Sequence, residues 1–123
     1  MPKMSRETAT VDDYGIAEDR HDELDGYTVS FVTTRQEADL APMLKGLPDD
    51  RCQCPHWGYV FEGRLTFTFA DREEVYEAGD AFFTPSGHTP RAEAGTSWVQ
   101  FSPTQELQVT EAVLMRNMEA MQA

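Results

Sequence analysis

A chain of 123 residues is the size of one domain with one core. Its 10 Lys and Arg against 22 Asp and Glu give a formal charge of −12, which repels phosphate backbones and anionic lipid. Nucleic acid and membrane surfaces are therefore not expected partners, and the 40% hydrophobic content with 8 Gly and 7 Pro describes a globular chain rather than a disordered or collagenous one.

Residues 1–25 carry Asp12, Asp13, Glu18, Asp19, Asp22, Glu23 and Asp25 with few apolar anchors, and read as a partly disordered acidic arm. No apolar run follows the basic residues of the first ten positions, and no stretch reaches the ~18 apolar residues of a spanning helix, so no targeting or membrane segment is expected. Tyr27, Val29 and Phe31 alternate with Thr28 and Ser30, which predicts a strand and opens a β domain over residues 26–102. Pro42, Gly46 and Pro48 make the next stretch irregular. Trp57 to Phe61, the turn Glu62-Gly63, and the alternation of Leu65, Phe67 and Phe69 with threonines predict an antiparallel hairpin. Further strands are expected at Val75–Ala78, at Ala81–Thr84 and at Trp98–Phe101, with turns at Asp71-Arg72 and Gly79-Asp80, the spacing of a sandwich or closed barrel. Over residues 103–123 the period changes: Leu107, Leu114, Met118 and Met121 share a helical stripe that Glu111 interrupts. Ser102 is the expected cap, Pro103 the first helical residue and Gln105 the end of a capping box.

Cys52, Cys54 and His56 stand two residues apart, so in an extended strand all three side chains leave one face. Same-face Cα atoms are roughly 6.5 to 7 Å apart along a strand, and a bend at Pro55 is needed to gather the three. His88, placed by the Pro85-Ser86-Gly87 turn, is the expected partner from the opposite strand. Two thiolates and imidazole suit zinc first, with iron, manganese and nickel as the other candidates. The competing reading makes the cysteines core filler and His56 and His88 hydrogen-bonded histidines beside a polar cavity. His21, between Arg20 and Asp22, reads as a solvated side chain paired to a carboxylate. A bridge between Cys52 and Cys54 would close a strained ring, so free thiols in reducing cytoplasm are expected. If His56 points inward, Gly58 and Val60 do too, and Gly58 leaves room for a small ligand or metal-bound water. Trp57, Tyr59 and Phe61 then face outward, to be covered by the helix or a second subunit, and a homodimer is expected.

The segment Gly79-Asp80-Ala81-Phe82-Phe83-Thr84-Pro85-Ser86-Gly87 resembles the second motif of the cupin superfamily, Gly, five residues, Pro, any residue, Gly. Upstream, Tyr59-Val60-Phe61-Glu62-Gly63 is similar to the strand and turn that close the first motif, and the line from Cys52 to Val60 resembles small uncharacterised bacterial cupins. The resemblance implies an all-β, single-domain double-stranded β-helix, or jelly-roll barrel, with the C-terminal helix added. It also implies a divalent metal in the barrel mouth and a small-molecule ligand or substrate. Counting back from Gly63 puts His56 at the motif's acidic position, Cys52 at its second histidine and Asp50 at its first. The last histidine's position holds Pro90, so the implied ligands come from Asp50, Cys52, Cys54, His56 and His88. Three functions compete: a metal-dependent lyase, isomerase or oxygenase; a non-catalytic small-molecule or metal-responsive binding module, with or without metal; and a thiol redox sensor at Cys52 or Cys54.

Overall fold

The computed structural model describes residues 3–122. In chain order the elements are β1 (Thr10–Asp13), β2 (Ala17–Leu24), β3 (Tyr27–Thr34), β4 (Ala38–Asp39), β5 (His56–Glu62), β6 (Arg64–Thr68), β7 (Glu73–Glu77), β8 (Ala81–Thr84), β9 (Thr89–Ala92), β10 (Ser97–Pro103) and α1 (Thr104–Gln122). Two 3₁₀ turns, Ala41–Leu44 and Pro48–Asp50, occupy the Pro- and Gly-punctuated stretch expected to be irregular. Among the described residues the strands form two antiparallel sheets, ordered β1-β2-β3-β10-β5-β8 and β4-β9-β6-β7. Val60, Leu65, Phe67, Phe69, Phe82, Ala92 and Trp98 fill the space between them. A second apolar cluster of Leu44, Leu47, Cys52, Cys54 and Leu107 seats α1 over the end of the sheets. The architecture is the all-β jelly roll with a closing helix expected from strand spacing and motif.

Three local expectations are corrected. The acidic stretch is not a partly disordered arm beyond residue 9: β1 and β2 extend the larger sheet, and β2 pairs with β3 along its whole length, from Ala17 opposite Thr34 to Leu24 opposite Tyr27. The connecting Asp25 and Gly26 have φ of 50° and 85°, the two-residue loop whose twist matches paired strands. Its charges are compensated pairwise by Arg20 to Glu18 at 2.6 Å, Arg35 to Asp13 at 2.8 Å and His21 to Asp12 at 2.7 Å, which lets acidic strands lie side by side. Residues 1 and 2 of that stretch, and residue 123 of the expected helix, lie outside the described residues.

The hairpin expected around Glu62-Gly63 does not form either, because β5 pairs with β10 and β8 while β6 pairs with β7 and β9. The turn is a corner at which the chain crosses from one sheet to the other. The Arg64 N–H donates to Thr96 Oγ1 at 3.1 Å, and a Cβ on Gly63 would run into the Thr96 backbone and side chain. Finally, Ser102 is not a helix cap. It lies in β10, fully buried, and α1 begins at Thr104, whose N–H donates to Gly26 O at 3.0 Å.

On β5 the alternation is as expected: His56 and Val60 point into the core, and Trp57, Tyr59 and Phe61 point out. The helix does not cover the outward stripe. Trp57, Tyr59, Phe61, Phe83, Phe101 and Tyr27 are each between 40% and 47% exposed on the outer face of the larger sheet.

Candidate metal centre

Cys52 and His88 are tied together by backbone before any side chain is considered. The Cys52 N–H donates to His88 O at 2.8 Å and the Gly87 N–H returns to Cys52 O at 2.8 Å, an isolated antiparallel bridge. Gly87 makes the turn possible with φ of +94°, a conformation that side chains rarely adopt. His56 enters from the start of β5, opposite Thr84 of β8. The three side chains are buried, and one ligand atom from each lies within 4.8 Å of the others. Cys52 Sγ is 3.9 Å from His56 Nε2. A tetrahedral ion with bonds of about 2.0–2.3 Å holds its donors roughly 3.3–3.8 Å apart, so the trio needs only a small closure to fit one.

The ring nitrogens are assigned by their partners. His88 Nδ1 lies 2.8 Å from the Pro85 carbonyl, which can only accept, so Nδ1 carries the proton and Nε2 presents a lone pair. That Nε2 is buried without a hydrogen-bond partner, a costly arrangement unless something electrophilic stands before it. His56 Nδ1 lies 2.7 Å from Ser102 Oγ, and donation to that hydroxyl leaves its Nε2 free toward Cys52. Both are the outer hydrogen bonds that orient metal-binding imidazoles. Ser102 and Thr110, whose hydroxyl is 3.4 Å from Cys52 Sγ, were not read as site residues. Thr110 lies one turn after Leu107 on the same helix, which is the signal that would have found it; Ser102 had none beyond its place in the strand.

Burial keeps the groups neutral without a cation. It pushes His56 down to about 3, with His88 nearby adding to the effect, and it lowers His88 against the hydrogen bond to Pro85. It raises the Cys52 thiol, against the hydrogen bonds it shares with Thr110 and the Cys54 backbone. Phe67 abuts the His88 ring edge-on at 5.0 Å and the two imidazoles are 5.0 Å apart, so the surroundings are dry and aromatic.

The other two candidates lie elsewhere. Cys54 is buried in the Leu44, Leu47 and Leu107 cluster, its thiol directed to the Pro55 carbonyl at 3.4 Å and the Pro103 carbonyl at 3.9 Å. Its thiol is pushed up to about 12, by burial first and then by Cys52. Residues 53–55 belong to no strand and β5 begins at His56, so the same-face alternation of a strand does not apply to the segment. Asp50 is exposed and accepts from the Gly46 N–H at 3.0 Å, closing a 3₁₀ turn. The room expected at Gly58 is taken as well: a Cβ there would strike the Val99 carbonyl and come within 2.6 Å of the Phe82 ring.

The space lies instead between the sheets and α1. A cavity of about 230 Å³ opens on Cys52, His56 and His88, with Val32, Leu65, Phe67, Pro90 and Trp98 among its walls. Among the described residues no fourth donor joins Cys52, His56 and His88, so a tetrahedral ion held by them would have one position without a protein ligand.

Residues 52–97 match the model of the Cupin domain. The chain is similar in structure to a protein of unknown function from Rhizobium leguminosarum bv. viciae, at 18% identity and TM-score 0.61 over 83% of this chain and 95% of that one. It is also similar to the polyketide cyclase RemF from Streptomyces resistomycificus, at 15% identity and TM-score 0.57 over 84% and 79%. An RmlC-like cupin from Shewanella frigidimarina matches at 19% identity and TM-score 0.55 over 81% and 88%. No curated protein matches the sequence. The fold is a cupin fold, residues 52–97 carry the Cupin domain match, and the buried Cys/His/His group could hold a metal ion.

Proposed function

We propose that this cupin binds a divalent metal, zinc first, through Cys52, His56 and His88, and acts on or holds a small molecule in the cavity beside it. The observation that carries the reading is the buried, unpartnered Nε2 of His88, with its tautomer fixed by the Pro85 carbonyl. One thiolate and two imidazoles favour zinc over the all-His and carboxylate set that suits ferrous iron. A fourth position open to a cavity is the arrangement of a working site rather than of a closed structural one. The chemistry such an ion supplies is Lewis acidity toward a carbonyl, hydroxyl or water oxygen. A dry aromatic pocket and small-molecule work by a protein of the same fold, the polyketide cyclase, support a lyase-, isomerase- or oxygenase-type reaction.

Metal analysis of protein purified without chelator or nickel resin tests this, followed by cobalt substitution. Wild type and Cys54→Ala should carry one metal per chain with thiolate-to-cobalt charge-transfer bands. Cys52→Ala should lose the bands and most of the metal, and His88→Ala most of the metal. Equal metal content in Cys52→Ala and wild type overturns the assignment.

We place the protein in reducing cytoplasm on the strength of its two free, buried cysteines. Among the described residues no helix is long and apolar enough to cross a membrane. We also read the exposed aromatic face of the larger sheet as the seat of a homodimer, since a face of this kind is self-complementary about a two-fold axis.

A further inference from the structure

The cavity has a second polar group in its lining. Asp19 on β2 and Glu111 on α1 both line it, Asp19 pointing inward opposite Val32 and Glu111 standing exposed at the mouth. Oδ1 of Asp19 and Nε2 of His88 are each buried with no hydrogen-bond partner, and both residues belong to the cavity lining. An orphaned polar atom on β2 in a largely apolar lining, apart from the Cys52, His56 and His88 group, calls for a ligand that carries a polar group for Asp19 on an apolar body. The two orphaned atoms differ in chemistry: the imidazole nitrogen offers a lone pair, whereas the carboxylate oxygen requires a donor.

The charges around Asp19 sharpen that requirement. His21, whose charge acts on Asp19, is already engaged by Asp12 at 2.7 Å. Arg91 of β9 also lines the cavity, but neither it nor Asp19 nor Glu111 takes part in an ion pair among the described residues. Burial, with Glu111 and Asp12 adding to it and His21 and Ser30 opposing, raises the Asp19 carboxyl, and burial, with Asp12 adding and His21 opposing, raises Glu111, so the charge of His21 does not offset the cost of burying either acid. A hydrogen-bonding cation entering between them would relieve both.

We infer that Asp19 and Glu111 form the recognition site for an organic ammonium group, so that the cavity takes an apolar amine whose far end faces the Cys52, His56 and His88 group. This rests on the reading of the cavity as a small-molecule site. It assigns β2, the added strand beyond the matched cupin residues, as the element that determines specificity.

The test titrates n-hexylammonium, hexan-1-ol and hexanoate into the protein as purified and after chelator treatment, by calorimetry at neutral pH, with metal content measured in parallel. Hexylammonium should bind at least tenfold more tightly than the alcohol or the carboxylate in both forms. Asp19→Asn should weaken it about tenfold, and Glu111→Gln, on the exposed rim where folding is not at stake, about threefold, with metal content unchanged in both. Equal binding of the three probes, no binding of hexylammonium, or affinity unchanged in both variants overturns the inference. So does amine binding that disappears with the metal yet ignores Asp19, since that is ligation. Absence of metal alongside Asp19-dependent amine binding would sink the metal reading and leave this one standing.

Discussion

The two faces of the larger sheet are built from the same strands and do opposite things. Inward, β5, β10 and β3 present His56, Val60, Trp98, Ser102, Ser30 and Val32, a mixture of apolar and hydrogen-bonding groups packed to leave one cavity. Outward, they present Trp57, Tyr59, Phe61, Phe101 and Phe31, large rings lying on a water-facing surface, with Phe31 and Phe61 stacked at 6.5 Å and Trp57 and Phe83 at 5.0 Å. In most single-domain sheets the apolar face is the buried one and the polar face the wet one. Here hydrogen-bonding groups go inward, around the cavity on which the proposed metal site opens, and large rings stay on the outer surface. If this division is right, changes on the inner face should alter folding, ligand and pH behaviour, and changes on the outer face should alter association.

The largest effect is expected at Gly58. Its missing side chain lets the Phe82 ring and the Val99 carbonyl close over β5, so Gly58→Ala must displace backbone as well as a ring. Overpacking of this kind should cost about 3 kcal/mol, read as a lower midpoint in urea unfolding with an unchanged slope. A cost below about 1 kcal/mol would mean that the space is open, as the sequence reading had it, and that the cavity extends to this level.

That outcome bears on what could be read beforehand. The strand spacing, the Gly79 to Gly87 motif and the helical stripe were legible because each is a local pattern, and each corresponds to an element of the structure. Three of the four expected ligands fall in or beside the cavity, yet the rule that grouped Cys52, Cys54 and His56 was strand alternation, and the chain is not a strand there. Cys54 shares the Leu44 and Leu47 cluster with Cys52, but its thiol is directed to the Pro55 and Pro103 carbonyls and not to the histidines, because residues 53–55 belong to no strand. The hairpin at Gly63 failed for a non-local reason: the same turn chemistry serves a hairpin and a sheet-to-sheet corner, and only Thr96, distant in sequence, distinguishes them. The acidic first strands are a different case. Asp25-Gly26 is among the strongest hairpin signals a sequence carries, and the acidic composition on either side masks it. With those strands went Asp19, whose role depends on a cavity that residues from β2, β9 and α1 build together.

A smaller effect is expected from Asp19 itself. Burial, with Glu111 and Asp12 adding to it against His21 and Ser30, holds its carboxyl at about 6 in the folded chain, against an ordinary value of 3.8. Between roughly pH 4 and 6 the folded protein keeps a proton that the unfolded chain has released, so stability falls as pH rises through that window and remains lower above it. The shift corresponds to roughly 2 kcal/mol once partial exposure is allowed for. Burial works against the charged form of His21, but the Asp12 hydrogen bond and the charges of Asp19, Asp12 and Glu111 outweigh it and raise its pKa. Its contribution is present at low pH and is lost as pH climbs past 6.5, in the same direction as that of Asp19. The informative quantity is therefore the difference between wild type and Asp19→Asn. The variant should be more stable by about 2 kcal/mol at pH 7, indistinguishable near pH 4, and flat through the interval between. Parallel curves for the two proteins would show that Asp19 is solvated like any surface carboxylate.

The smallest effect on folding is expected on the outer face, where it is paired with a large effect on association. Tyr59 is 41% exposed, and its ring is 5.5 Å from Phe61. Tyr59→Glu should cost the folded chain no more than about 1 kcal/mol, because half of the ring already faces water. In a homodimer closed about a two-fold axis the same substitution acts twice, placing a new carboxylate on each copy in a chain that already carries −12. Sedimentation velocity should then show wild type as a dimer and the variant as a monomer at matched concentration, while metal content and hexylammonium binding stay the same in both. A wild type that sediments as a monomer removes the second copy as the cover for these rings. A variant that dissociates and also loses metal would show that the two faces are not independent, because signal would then pass through β5 from Tyr59 to its neighbour His56 three residues back in the same strand.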